Sequence, residues 1–461
     1  MDQPFDVAVV GAGVVGAAVA RELARHHLRV VLLESRNDVG AGTSKANTAI
    51  LHTGFDATPG SVEARLVARG YALLSAYAPG AGISVETTGA MLVAWDAEQA
   101  ATLPKLRDKA AANGYAHAEI IDADAVSEAE PHLGPGVTGG MLVPDEHIID
   151  PWSTPLAFVH DAVANGCELR TSFPVDSVHL DADTTVLTTA DGRSVRTRFV
   201  VNAAGLYGDE LHRRMGFDGF TVRPRRGELI VYDKLARPLL QRTLLPVPTS
   251  HTKGVLVAPT VFGNVMLGPT ADDIDDKGAT GSTRAGLDAL LAKGHRILPA
   301  LLDEEVTAVY AGLRAATEHS DYQLSHHSDA RYVCLGGIRS TGLTASMALG
   351  EEAVALLAAA GLTSTKRPAD EVRQVYLTAL GETSVRPYQR GGVIVCHCER
   401  VTSDEITDAC SGPVPAHDLD GIRRRTRALA GRCQGFYCSA DVCTLAADVD
   451  GRTPQAWMGL A

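Results

Sequence analysis

The sequence predicts an α/β (α+β) chain in three parts. These are a Rossmann-like domain, an antiparallel-sheet domain interleaved with it, and a small helical C-terminal domain. Three observations predict this. An apolar strand runs into Gly11-Ala12-Gly13-Val14-Val15-Gly16 and then a helix. Strand-like segments ending in small residues recur at 198–205 and 332–337, with alternating-pattern stretches between them. The cysteines crowd the far end: of eight, only Cys167 and Cys334 lie in the first 390 residues.

The N-terminal unit is the most explicit. Phe5 to Val10 reads as a buried parallel strand. A helix with apolar spacing on one face follows the glycines, and the strand Arg29–Leu33 ends at Glu34. This is a βαβ unit of about 30 residues. Gly11 allows the tight turn, Gly13 lets the backbone approach a pyrophosphate, and Gly16 lets helix and strand pack closely. The helix N-terminus, with Val14 and Val15, offers unpaired N–H groups to phosphates. Glu34, with Ser35 beside it, would accept hydrogen bonds from ribose hydroxyls, and acidic character there favours a dinucleotide without a 2′-phosphate.

The following segment selects FAD over NAD. Asp38 to Thr48 (DVGAGTSKANT) is a long polar loop of small residues rather than another compact βα unit. Such a loop, through Thr43, Ser44, Asn47 and Thr48, can wrap the rest of an FAD. Val175 and the strand end Ala203-Ala204-Gly205 are expected beside the same cofactor. So are Gly337 and the helix start Gly342-Leu343-Thr344, whose N-terminus would stabilise the negative charge of a reduced flavin.

Composition sets outer bounds. With 461 residues and 45% hydrophobic content, the chain can bury a sizeable core. Lys+Arg is 42 against Asp+Glu 55, a net charge of −13, which argues against a nucleic-acid partner. No apolar run reads as a transmembrane segment, and acidic residues precede the first apolar run, unlike a signal peptide. The expected location is the cytoplasm, with contact at the inner face of the membrane through a partner subunit left open.

The chain is expected to visit two domains alternately. Segments 1–83, 151–220 and 309–361 form the FAD-binding domain. Segments 84–150 and 221–308 form the substrate domain. Residues 362–391 read as a linker with one helix, and 392–461 as the cysteine domain.

Cys396-His397-Cys398 and Cys433 to Cys438 form two close pairs. Soft thiolates in this arrangement suit a [2Fe–2S] cluster. Zinc and disulfides are the alternatives, but Cys-x-Cys is unusual for zinc, and a chain without a secretory signal keeps its thiols reduced. Cys443 is a reserve ligand, and Cys410 reads as a buried apolar residue.

GAGVVG, TSKANTAILHTGFDATPG, VVNAAGLYGDEL, YAGLRAATEHSDYQL and GGIRSTGLTASMALG together resemble the D-amino-acid-oxidase-like superfamily of FAD oxidoreductases. Within it they are most similar to FAD-dependent glycerol-3-phosphate dehydrogenases and oxidases, then to L-2-hydroxyglutarate dehydrogenases. The tail, CHCERVTSDEI…RRRTRALAGRCQGFYC, resembles the bacterioferritin-associated-ferredoxin-like [2Fe–2S] domain. Two positions depart from the family pattern: Thr48-Ala49 stands where Ser-Gly is usual, and Thr341 where proline is common.

The resemblance implies a dehydrogenase of sn-glycerol 3-phosphate or a similar small anionic hydroxy compound. Electrons would leave through the cluster to an acceptor subunit or a quinone-linked partner. It places His52 at the flavin as general base and Arg314 as anion clamp, with Lys253 as a second cation and Ser340 as a hydrogen-bonding group. His251 is a weaker candidate. The alternatives are a 2-hydroxy acid dehydrogenase, an amine oxidoreductase, and a non-enzymatic electron-transfer or cluster-storage subunit. The run Arg423-Arg424-Arg425-Thr426-Arg427 reads as a solvated basic face beside an anionic cluster, or a docking surface for a partner.

Overall fold

The computed structural model describes residues 3–248, 254–381 and 391–459. Its first layer is a sheet centred on Phe5–Val10, which pairs in parallel with Val30–Leu33 on one side and Ser194–Asn202 on the other. Glu168–Arg170 extends the first side and Tyr332–Gly336 the second, both in parallel. Phe5–Val10, Val30–Leu33 and Tyr332–Gly336 are short and apolar because both faces are covered. The helix Val14–Ala24 packs on one face against Ser153–Ala164 and Gly342–Ala359. Leu23, Leu32, Phe158, Val201 and Leu357 are among the residues buried there.

The second sheet is built mainly from antiparallel strands. Arg225–Tyr232, Val265–Gly268, Leu256–Pro259, Thr243–Pro246, Ala90–Ala94, Gly139–Val143 and Glu119–Ile121 follow one another across it. Thr243–Pro246 and Ala90–Ala94 pair in parallel, because they come from separate passes of the chain. The strand Val306–Arg314 also belongs here, antiparallel to Arg225–Tyr232. The expected return to the FAD-binding domain at residue 309 is therefore too early. That strand follows its hydrogen-bonding partner, and the chain rejoins the first sheet at Gln323–His327.

Two further expectations change. In 362–381 the described residues hold a 3₁₀ turn, Ala369–Glu371, where a helix was expected. This stretch lies against the first domain, with Arg373 and Val375 N–H groups donating to Asn165 and Asp161. The helix Gly342–Ala359 does reach the length and composition of a membrane-crossing helix. It is nevertheless a core element. Leu343, Ala345, Leu349 and Leu357 are buried, and Glu351 and Glu352 pair with Arg69 and Arg65 of the neighbouring helix Val62–Ala81.

The C-terminal part is a hairpin, Ile394–Cys396 with Val401–Thr402, followed by the helices Ser403–Ser411, Leu419–Thr426 and Ser439–Asp450. Thr402 and Glu405 cap the first of these reciprocally. Val401, Ile406, Ile422, Leu429, Val442 and Trp457 form its core, with Cys410 and Cys443 among them.

Candidate functional site

The glycine loop is shaped as its spacing requires. Gly11 has φ +105°, and a Cβ there would lie 2.5 Å from the Ala203 carbonyl oxygen. A Cβ on Gly16 would lie 1.8 Å from the Gly11 oxygen. Neither position admits a side chain. Gly13 is different: its added Cβ would meet only Ser44 Oγ, at 3.2 Å, so its open side faces a cavity rather than protein. Glu34 is buried, and its carboxylate accepts from the Ala12 and Arg36 N–H groups, both at 2.8 Å. It therefore holds the glycine loop in place as well as closing the second strand.

A cavity of about 530 Å³ opens from this loop and runs between the two sheets. Gly13, Val14, Val15, Thr43, Ser44, Asn47 and Thr48 line one end. Ala203, Gly205, Gly337, Gly342 and Leu343 line it further on, with His52, Arg314 and Ser340. Gly11, Gly16, Glu34, Ser35, Val175, Ala204 and Thr344 stand outside this lining. Thr344 is fully buried, and its hydroxyl accepts from the His52 N–H at 2.9 Å. It anchors the His52 backbone instead of facing a ligand. Val175 offers its carbonyl to Arg214. Lys253 and His251 lie outside the described residues.

The polar loop is tied in from several directions. Ser44 Oγ accepts from Val14 N at 2.9 Å, and Thr43 Oγ1 donates to the Leu313 carbonyl at 2.9 Å, next to Arg314. Ala49 has φ 56°, in the left-handed region that glycine fills without strain. Asn47 Oδ1 accepts from the Ala49 N–H at 2.7 Å and supports this turn. Thr341 donates to Glu63 at 2.6 Å and shares a 2.7 Å hydrogen bond with Tyr322, contacts that proline could not make.

Arg314 ends the strand Val306–Arg314 and enters the cavity wall. Burial drives its guanidinium down to about 10, and the charge of Arg225 adds to this. Arg225, directly across the strand pair, is already engaged by Asp273 at 2.6 and 3.0 Å. Arg314 donates to the Thr270 carbonyl at 3.3 Å, and among the described residues no carboxylate forms an ion pair with it. Gly227 makes room for it, since a Cβ there would fall 2.8 Å from Nη2. A buried cation without a counter-charge is an anion receptor in waiting.

The four paired cysteines converge in the C-terminal domain. Cys396 lies beside Cys438, which holds the Cys396 thiol below its ordinary value, and Cys398 lies beside Cys433. All four are free thiols, with Cys396 and Cys438 buried and Cys398 exposed. Each of Cys398, Cys433 and Cys438 also feels the charge of a cysteine of the other sequence pair.

The basic run departs from its expected role. Arg424 and Arg425 are buried, not solvated. Arg425 grips Asp38 of the polar loop at 2.7 and 2.8 Å, and Arg424 bonds the same carboxylate. Burial pushes the Asp38 carboxyl up, but the two arginines outweigh it and hold the carboxyl below its ordinary value. Lys45 pairs with Asp420 at 3.2 Å. On the substrate sheet's side, Arg432 bonds Asp233 at 2.7 Å, and Glu399 takes both Lys234 and Arg427. Arg427 also lies 4.0 Å over the Phe262 ring.

Residues 6–356 match the FAD dependent oxidoreductase family. The chain belongs to that family. Residues 394–447 match the BFD-like [2Fe–2S] binding domain. The chain is similar to a glycerol 3-phosphate dehydrogenase of Caloramator mitchellensis, 33% identical over 96% of this chain and 94% of that one. It is also similar to a glycerol 3-phosphate oxidase of Mycoplasma pneumoniae, 30% identical over 76% of this chain and 94% of that one. Among solved structures, the L-α-glycerophosphate oxidase from Mycoplasma pneumoniae with FAD bound superposes with a TM-score of 0.76. It is 29% identical and covers 81% of this chain and 99% of that one. This member of the FAD-dependent oxidoreductases is thus an enzyme that uses FAD and carries a [2Fe–2S] domain.

The cradle at Gly13 and the cavity beyond it fit FAD, and the two thiol pairs fit the cluster. Anaerobically purified protein is expected to contain two irons and two sulfides per chain, with a rhombic electron-paramagnetic signal on reduction. Both should be lost in Cys398→Ser. Stoichiometric zinc without iron would make the tail a structural module.

Proposed function

We propose that this enzyme oxidises sn-glycerol 3-phosphate to dihydroxyacetone phosphate. One observation carries the reading: the buried Arg314 guanidinium, with no carboxylate partner among the described residues, lines the same cavity as His52. The planar fork of an arginine suits a phosphate bidentately. In this reading Arg314 holds the phosphate end, and Ser340 offers a hydroxyl in the same cavity. His52 takes the proton of the substrate hydroxyl. FAD supplies, when bound, the two-electron acceptor for the carbon-bound hydrogen. The apolar lining, with Leu92, Leu229, Leu335 and Ile338, keeps water from the anion and strengthens its pairing. Electrons then leave singly through the cluster domain to an external acceptor, a subunit or a quinone-linked partner.

The test is anaerobic flavin bleaching. Glycerol 3-phosphate should bleach the flavin far faster than glycerol. Arg314→Ala should raise KM and lower kcat/KM by roughly 2–4 kcal/mol of transition-state stabilisation, with FAD retained. Rapid bleaching by 2-hydroxyglutarate and none by glycerol 3-phosphate would transfer the same site to a carboxylate substrate.

A further inference from the structure

We infer that Glu146 is the positioning residue of His52, holding its imidazole in one tautomer and stabilising the imidazolium formed when it takes a proton. The inference rests on the reading of His52 as the base.

The pairing is built by strand register. Ile50–Leu51 and His147–Ile149 run antiparallel, with Ile50 opposite Ile148 and Leu51 opposite His147. One step further, the register sets His52 against Glu146. Their side chains meet, with Glu146 Oε2 3.3 Å from His52 Nδ1. Glu146 is 1% exposed, so its carboxylate has left water almost completely. Such burial requires compensation. One oxygen has it: Oε1 accepts from Thr53 N at 3.0 Å and Thr53 Oγ1 at 3.1 Å. The other oxygen, Oε2, is buried without a hydrogen bond of its own and lies against the imidazole.

The two halves of the pair are fixed independently. Thr53 orients the carboxylate, and Thr344 Oγ1, at the start of the helix Gly342–Ala359, accepts the His52 N–H. A histidine whose Nδ1 faces a carboxylate carries its proton there and presents a bare Nε2. His52 lines the cavity that Arg314 also lines, which puts the imidazole on the substrate's side of the pair. When His52 becomes charged, the Glu146 charge lies next to it in a low-dielectric setting, where opposite charges count most.

Among the described residues, His147 follows Glu146 in its strand, and Tyr71 and Tyr115 feel the Glu146 charge. Asp145 turns to His117 at 2.7 Å and Tyr115 at 3.0 Å. Tyr71 donates to the Asp145 carbonyl. Asp56, Glu63, Lys109 and Arg314 line the cavity.

The decisive measurement is the pH dependence of anaerobic flavin reduction in stopped flow, with FAD content determined for each variant. Glu146→Gln should keep its FAD but reduce it about 10²-fold more slowly. Its acidic limb should move to lower pH by about 1, because an imidazolium without its carboxylate loses its proton more readily. Glu146→Asp should restore the position of the limb while recovering only part of the rate.

A Glu146→Gln enzyme with wild-type pH dependence and a rate within about threefold would overturn the inference, provided His52→Ala is inactive. A fully active His52→Ala would instead remove the base reading itself. If Glu146→Gln does not fold, nitrogen NMR of histidine-labelled wild-type holoenzyme decides, with His52→Asn identifying the resonance. A proton on Nδ1 of neutral His52 supports the role of Glu146, and a proton on Nε2 refutes it.

Discussion

His52→Ala is expected to slow anaerobic reduction of the flavin by substrate by about 10²–10⁴ while leaving FAD content unchanged. The cofactor cradle is built from Gly11, Gly13, Ser44 and Glu34, none of which depends on the imidazole. Removing the ring leaves the substrate hydroxyl without a proton acceptor, although the anionic end stays held at Arg314. The loss should therefore fall on the limiting rate of reduction rather than on apparent affinity. Rapid-reaction spectrophotometry separates the two. A reduction rate within about threefold of the parent would show that another group takes the proton.

Asp38→Asn should loosen the C-terminal domain by about 3–5 kcal/mol, the usual consequence of removing one partner from a buried ion pair. The effect is large because one carboxylate serves two buried arginines, Arg424 and Arg425, which would be left with uncompensated charge. Hydrogen exchange should report it as faster exchange in the helix Leu419–Thr426, with little change in the sheet around Phe5–Val10. The parent protein should show the same loosening in acid. The folded Asp38 value lies below the ordinary one. Its contribution is thus complete above the ordinary carboxylate range and is lost as pH falls through the depressed folded value. Unchanged protection of Leu419–Thr426 in Asp38→Asn would mean that apolar contacts alone hold the domain.

Features carried by local order were legible in the sequence. A strand, three glycines at fixed spacing and an acidic residue after the next strand are close in sequence and close in space. The cysteine pairs stand out in the sequence by spacing, but the thiols that meet, Cys396 with Cys438 and Cys398 with Cys433, come from different pairs. Features made by long-range register were not. Glu146 lies 94 positions from His52, and only the antiparallel pairing of two very short strands joins them. The basic run misled for a related reason. Consecutive arginines on a short helix look solvated unless their partner is known, and Asp38 is nearly four hundred residues away. The end of the strand Val306–Arg314, from residue 309 on, was assigned to the FAD-binding domain because its pattern alone does not name its neighbour.

The ion pairs around the C-terminal domain reach both lobes. Asp38 and Lys45 belong to the polar loop at the cofactor cradle, and Asp233 and Lys234 belong to the substrate domain. The domain is therefore wedged into the body of the enzyme and is no arm on a tether. Electrons crossing it travel a path whose length is set by folding, with no diffusive search between cofactor and relay. Solvent viscosity has little to act on in such an arrangement. Its innermost contact, at Asp38, is sealed from counter-ions, so ordinary salt screens it only weakly.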